Sequence, residues 1–309
     1  MEKHISVLLN ETISSLNLKE NSVIVDATLG YGGHSSSILD RIKKGYLFAF
    51  DQDSEAIRHS TDRLNKIGTN FTIIKSNFVN LKDELTKKGI TEVDGFLFDL
   101  GVSSPQLDEK ERGFSYHEDA YLDMRMDKEN PLTAYQVVNH YSKEQLSEII
   151  FKYGEEKFSR NIAKKIEEYR KTKPIETTLE LVEIIKTAIP MKFRKDKHPA
   201  RKTFQAIRIE VNKELDVIKP ALEQALSMLT VGGRVAVITF HSLEDRLVKN
   251  YFKDQTAVDP KLKGMPNIPA ELLPDFELVV NKAIKPTEEE LNNNPRARSA
   301  KLRVIERIK

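Results

Sequence analysis

Short apolar runs alternate along the chain with stretches in which apolar side chains recur every three to four residues, and this alternation predicts strands joined by helices. The first run, Val23-Ile24-Val25, closes on Asp26 and leads into a turn carrying Gly30, Gly32 and Gly33, then a helix through residues 35–39. Residues 46–50 form a second strand ending at Asp51, residues 71–75 a third, and residues 93–99 a fourth. Ser54 is expected to cap a helix to about residue 66 with Glu55 in its first turn, and Asn80 a helix to about residue 88 that Gly89 stops. Four strands alternating with helices imply a parallel sheet built by right-handed crossovers.

The next strand, residues 234–240, comes roughly 130 residues after Asp99, against the ~30 of an ordinary βαβ unit. A helix over residues 204–229 can serve as the crossover. The rest must be an insertion, helical in pattern at residues 134–140, 143–151, 158–170 and 178–188 and punctuated by Pro131, Pro174 and Pro190. The expected organisation is a sheet domain of residues 1–106 and 201–309 with an inserted helical domain of residues 107–200. Toward the end, residues 241–252 read as helix, residues 258–275 as a Pro-rich loop, and residues 277–281 and 301–307 as a closing pair of strands.

Glycines at 30, 32 and 33 let the backbone turn sharply and let a ligand approach without meeting a Cβ, while the N–H groups of the following helix point at it. A dinucleotide fingerprint would need glycine or alanine where Ser35 stands. The spacing Asp26-x-x-x-Gly30-x-Gly32-Gly33 is more similar to the first motif of S-adenosylmethionine-dependent methyltransferases. Asp51, about 20 residues past the glycines, suits a ribose diol in either cofactor family. Seven strands closing on a hairpin-like pair also fit a methyltransferase sheet better than a six-stranded dinucleotide sheet.

Composition narrows the field. The chain has 309 residues, 39% hydrophobic and 31% charged, which is ample for a globular core. No run approaches the ~18 apolar residues of a membrane span, and Met1-Glu2-Lys3-His4 opens no signal peptide, so the expected location is cytoplasmic. With no cysteine, disulfides, thiolate metal sites and cysteine nucleophiles are excluded together. No His/Asp/Glu grouping has metal-ligand spacing, and none is needed. A net charge of +2 is too mild to argue for nucleic acid, so local clusters must carry that argument.

Several stretches carry candidate chemistry. Asp99, Ser103, Ser104 and Gln106 leave the fourth strand, whose end faces the ligand crevice of an open sheet. An acceptor-rich loop there would receive hydrogen bonds from an amino group, or simply cap the strand. Arg112, Phe114 and Arg125 mix arginine with aromatic side chains at the mouth of the insertion, suited to stacking on a base or to packing a linker. Seven residues between 192 and 208 are Lys or Arg, among them Arg194, Lys195, Arg201 and Lys202, opposed by Asp196 alone, which favours contact with a phosphate backbone. Arg296 and Arg298 begin a second basic stretch. His241 follows the fifth strand, placed to orient a substrate or help remove a proton; alternatively, Ser242 caps the helix with Asp245.

Taken in order, these stretches resemble one family along the whole chain. The segments are His4 to Glu11, Asp26 to His34, Phe50-Asp51-Gln52-Asp53, Asp99 to Asp108, Arg112-Gly113-Phe114-Ser115, Leu122 to Asp127, His198 to Ile209, His241 to Arg246 and Arg296 to Arg303. They are similar to the bacterial 16S ribosomal RNA cytosine-N(4) methyltransferases, the RsmH/MraW family. The resemblance implies a class I methyltransferase of α/β fold, a Rossmann-like seven-stranded sheet with an inserted helical domain, and S-adenosyl-L-methionine as methyl donor. It implies one cytidine of the small-subunit decoding centre as target. It carries cofactor contacts to Gly32, Gly33, His34, Asp51, Phe78, Asp99 and Gln106; Phe78 rests mainly on the family. Other readings predict otherwise: a protein or small-molecule methyltransferase would ignore RNA, an NAD-dependent oxidoreductase would bind nicotinamide, and an assembly factor would bind RNA without turnover.

Overall fold

The computed structural model describes residues 6–102, 109–194, 198–262 and 267–309. The chain divides into two compact units, residues 1–101 with 215–309, and residues 102–214. The first opens with helix α1 (Leu9–Ser15) and then alternates β1 (Val23–Asp26), α2 (Gly33–Arg41), β2 (Tyr46–Asp51), α3 (Ser54–Leu64), β3 (Phe71–Lys75), α4 (Leu81–Lys87) and β4 (Val93–Asp99). The second unit holds α5 (Ala134–His140), α6 (Lys143–Gly154), α7 (Ser159–Arg170), α8 (Thr178–Ala188) and α9 (Arg201–Asn212). The chain returns to the first unit with α10 (Ile218–Ser227), β5 (Leu229–Thr239), α11 (Ser242–Gln255), β6 (Phe276–Leu278) and β7 (Lys301–Arg307).

The strands form one seven-stranded sheet in the order β3-β2-β1-β4-β5-β7-β6. The five strands from β3 to β5 run parallel, and β7 is antiparallel to both its neighbours. This is the α/β sheet expected, closed by the antiparallel pair. Both faces are covered, which is why the strand sequences are apolar runs rather than alternations. Val25, Phe48, Phe50, Phe96, Phe98, Val235 and Val237 pack on one face with Leu81, Leu85, Leu222 and Phe252. Ile24, Leu47, Ala49, Leu97, Ala236 and Ile238 pack on the other with Ile13, Ile38, Leu39 and Leu64. Among the described residues no helix is long and apolar enough to cross a membrane.

The helical unit has its own core, with Leu122, Val137, Leu146, Ile150, Ile162, Ile166, Leu181, Ile185 and Ile207 fully buried. The expected boundary at residue 200 is corrected here: α9 belongs to the helical unit, and the crossover helix expected over residues 204–229 is two helices. Lys213 takes the left-handed conformation (φ 51°) and ends α9, while Arg208 forks onto Glu214 at 2.9 and 2.8 Å to hold the break. Gly154 lets α9 approach α6, since a Cβ there would stand 2.6 Å from the Lys202 carbonyl oxygen. Two cap expectations shift by one residue. Asp53, not Ser54, caps α3 by accepting from the Glu55 N–H, and His241, not Ser242, is the capping position of α11.

Candidate functional site

The glycine turn after β1 is shaped by the residues around it. Gly30 and Gly32 have φ of 49° and 70°, the left-handed region that glycine enters without penalty. A Cβ on Gly33 would collide with Ser6 Oγ, so the segment before α1 lies directly on the turn. The Ser60 hydroxyl, on α3, donates to the Gly30 carbonyl at 2.6 Å. Asp26 is buried beneath the turn. It accepts from the Ser35 hydroxyl at 2.6 Å and the Thr28 N–H at 3.1 Å, and burial nevertheless pushes its carboxyl above the usual range.

Asp51, at the end of β2, accepts from the Gly30 N–H and the Asp53 N–H, both at 2.8 Å. Burial outweighs these bonds and pushes it up to about 6. Just past β3, the Phe78 ring meets Phe98 edge-on with centroids 5.7 Å apart, beside the end of β4. Asp99 ends β4, and its N–H donates to the Thr28 hydroxyl at 2.6 Å, which ties the exits of β1 and β4 together. His34, buried at the start of α2, lies with Nε2 3.1 Å from the Val7 carbonyl and Nδ1 3.5 Å from Asp99 Oδ2.

Asp99 keeps 26% of its side chain exposed, yet its Oδ1 is fully covered and without a hydrogen-bond partner among the described residues. Burial, then the nearby carboxyls of Asp26 and Glu244, push it well above the ordinary carboxylate range. Glu244, on α11, accepts from the Phe240 and His241 N–H groups at 2.8 and 3.2 Å. His241 Nε2 is 3.0 Å from Glu244 Oε1 but not aligned for a hydrogen bond, so proximity alone relates the pair. The carboxyl edge of the parallel sheet thus gathers Gly32, Gly33, His34, Asp51, Phe78 and Asp99 in one unit, with His241 after β5. Ser103, Ser104, Gln106 and Lys195 lie outside the described residues.

The family profile of the MraW methylases matches residues 1–308. The chain belongs to the MraW methylase family. It is 54% identical over 310 residues to the ribosomal RNA small subunit methyltransferase H of Exiguobacterium sibiricum, covering 100% of this chain and 99% of that protein. Solved structures it resembles include an rRNA methylase from Streptococcus thermophilus, with a TM-score of 0.45 at 13% identity over 100% of this chain and 99% of that one. A SAM-dependent O-methyltransferase from Thermotoga maritima gives 0.43 at 10%, over 100% of this chain and 69% of that one.

S-adenosylmethionine is the methyl donor of MraW methylases, and the residues present suit it. The turn leaves no side chain where glycine stands, a strand-end carboxylate faces the turn, and the orphaned Asp99 Oδ1 offers a buried acceptor for a donor or cation. Reading the sequence used Asp26 as the first position of the turn motif but missed Thr28, Ser35 and Glu244 as supports of this site. Glu244 was visible as the third residue of a capping box counted from His241 instead of Ser242. Asp26 was legible as a motif position, but its bonds to Ser35 and Thr28 were not.

The expected RNA contacts divide. Arg112 is 5% exposed, with its guanidinium donating to the carbonyls of Arg125 and Met126 at 2.9 and 3.0 Å, and Phe114 is buried with it. Arg125 forks onto Asp123 at 2.7 and 3.0 Å and bonds two further carbonyls. Arg112 and Phe114 are buried within the helical unit, so neither is placed to meet a phosphate or a base there, whereas Arg125 keeps 22% of its side chain exposed. Arg194 donates to the Ile189 carbonyl through Nε, while Arg201, Lys202, Arg296 and Arg298 are exposed.

Proposed function

We propose that the protein methylates the exocyclic N(4) amino group of one cytidine in the decoding centre of 16S ribosomal RNA. The match to MraW methylases over the whole chain carries this reading, and the acceptor at the β4 exit supports an amine as the target. Gly32, Gly33 and His34 would line the donor, Asp51 would take its ribose diol, Phe78 would meet its adenine, and Asp99 and Gln106 would hold it on the β4 side. When bound, S-adenosylmethionine supplies an electrophilic methyl on a sulfonium.

Cytosine's amino nitrogen is a weak nucleophile because its lone pair is delocalised into the ring. Holding it in line with the methyl provides much of the acceleration. On receiving the methyl, the nitrogen would become pyramidal and pass one proton to the Asp99 carboxylate. Asp99 accepts a hydrogen bond from that amine, with Ser103, Ser104 and His241 lining the position. Asp99 takes up a proton only when ionised, so its raised pKa places the gain in activity on the alkaline side of its titration. Methylation at the ring carbon by a cysteine adduct has no residue here.

The target base must leave its stack to be reached, so an accessible single-stranded site in the small subunit is the substrate. Arg194, Lys195, Arg201 and Lys202 on the helical unit, with Arg296 and Arg298, hold the flanking backbone, and the enzyme works in the cytoplasm. The decisive experiment incubates the protein with labelled S-adenosylmethionine and small subunits from cells lacking the modification, then identifies the labelled nucleoside by mass spectrometry. N(4)-methylcytidine at one site is expected. RNA left unlabelled despite cofactor binding overturns the reading.

A further inference from the structure

The short turn Met191–Phe193, between α8 and α9, turns apolar side chains into water: Met191 is 74% exposed and Phe193 46%. It is firmly held. The Phe193 N–H donates to the Pro190 carbonyl at 2.9 Å and the Arg194 N–H to Met191 at 3.1 Å. Arg194 Nε closes the turn on the Ile189 carbonyl at 2.7 Å. A backbone so constrained, with a phenylalanine left in solvent, presents that ring for contact.

Lysines surround the ring. Lys157 Nζ lies 3.8 Å from the Phe193 centroid and 5.1 Å from that of Phe158, and Lys192 Nζ lies 5.1 Å from Phe193. The two rings are tilted together at 5.2 Å. Lys202 anchors its Nζ on the Glu155 carbonyl at 2.7 Å, two residues before Lys157. Beyond Lys157 an open groove of about 660 Å³ is lined by Phe151, itself 65% exposed, with Arg160, Lys143, Glu144 and Glu148. Glu144 is 3.3 Å from Lys143, and Lys157, which touches Phe193, also lines the groove.

We propose that Phe193 is a base-stacking platform for single-stranded RNA, with Lys157 and Lys192 holding the phosphates on either side of the stacked base. This rests on RNA being the substrate. An ammonium resting on an exposed ring is held less strongly than a stacked base, so a base displaces Lys157. Its flexible stem then carries the charge to the neighbouring phosphate, and neither group is left unpaired. The same lysines argue against a dry protein interface, whose centre is depleted in lysine.

The chain contains no tryptophan, so Phe193→Trp creates a single fluorescent reporter on the platform. The full-length variant is titrated with a short oligocytidylate and with an abasic ribose-phosphate strand of equal length. Quenching that saturates with the oligocytidylate and is absent with the abasic strand is expected. Phe193→Ala should bind the oligocytidylate about tenfold more weakly and Phe193→Tyr about as the parent. Equal responses to both strands, or unchanged binding by Phe193→Ala, overturn the proposal. So does a change in sedimentation of Phe193→Ala, which would make the turn a contact between copies. The subunit methylation assay run alongside separates the two readings: labelled RNA with no Phe193 effect removes only the platform, whereas unlabelled RNA with the parent protein removes the substrate assignment.

Discussion

Asp51 shows how one side chain links stability to ligand binding. Its carboxyl is raised from 3.8 to about 6, so between those values the folded protein holds a proton that the unfolded chain has released. Asp51 therefore contributes stability below pH 4 that is lost as pH rises through 6. Ligand binding has the opposite sign, because a ribose diol donates to the ionised form. Affinity for S-adenosylhomocysteine, measured by calorimetry, should fall between pH 7.5 and 5.5, and Asp51→Asn should be weak at both. Asp99→Asn should bind the same ligand but lose most turnover and the alkaline rise in its pH profile; full turnover would remove Asp99 from the chemistry. Asp51 was readable as a ribose ligand because it ends a strand at the right distance from the glycines. Its bond from the Gly30 N–H was not, since Gly30 meets it only once β1 and β2 lie side by side.

Helix α11 and strand β7 are joined by one carboxylate. Asp245 accepts from Lys301 at 2.7 Å and Arg303 at 2.8 Å. Burial pulls its carboxyl up, but the bonds from Arg303 and Lys301 outweigh burial and hold it below its usual range. That contribution is present above pH 4 and lost as pH falls through the lowered pKa. Asp245→Ala should cost about 2–3 kcal/mol in urea unfolding at pH 7, and less in acid. From the sequence, Asp245 was instead a partner of Ser242 in a cap, because a local motif is visible along the chain and a pairing with residues 301 and 303 is not. The loop joining β4 to the helical unit has its own fixed point. Gly113 has φ 70°, and a Cβ there would collide with the Tyr121 carbonyl oxygen. Gly113→Ala should destabilise the helical unit by at least about 2 kcal/mol, read as faster amide exchange in residues 109–214 with the sheet unit unchanged.

RNA binding by the whole protein depends on charges that no single element carries. Neutralising Arg201 and Lys202 together should weaken binding and lower the salt slope by roughly 1.4 for a single strand, about 0.7 for each phosphate left without its cation. An unchanged slope would take both side chains off the RNA path. The amino-acid order by itself determined the alternation of strands and helices, the glycine turn, the strand-end aspartates and the family, because all of these reside in spacing along one segment or in motifs recurring in order. Only the tertiary structure decided which arginines are spent. Arg112 looks as available in the sequence as Arg201, but its guanidinium is consumed by the carbonyls of Arg125 and Met126 within a packed core. It likewise decided that α9 belongs with the helical unit, because Gly154 lets that helix come close, and that Asp99 is raised, because the fold buries it and then brings Asp26 and Glu244 to it from other strands and helices. Burial and the meeting of distant charges arise when the chain folds onto itself, and neither can be read from the residue type.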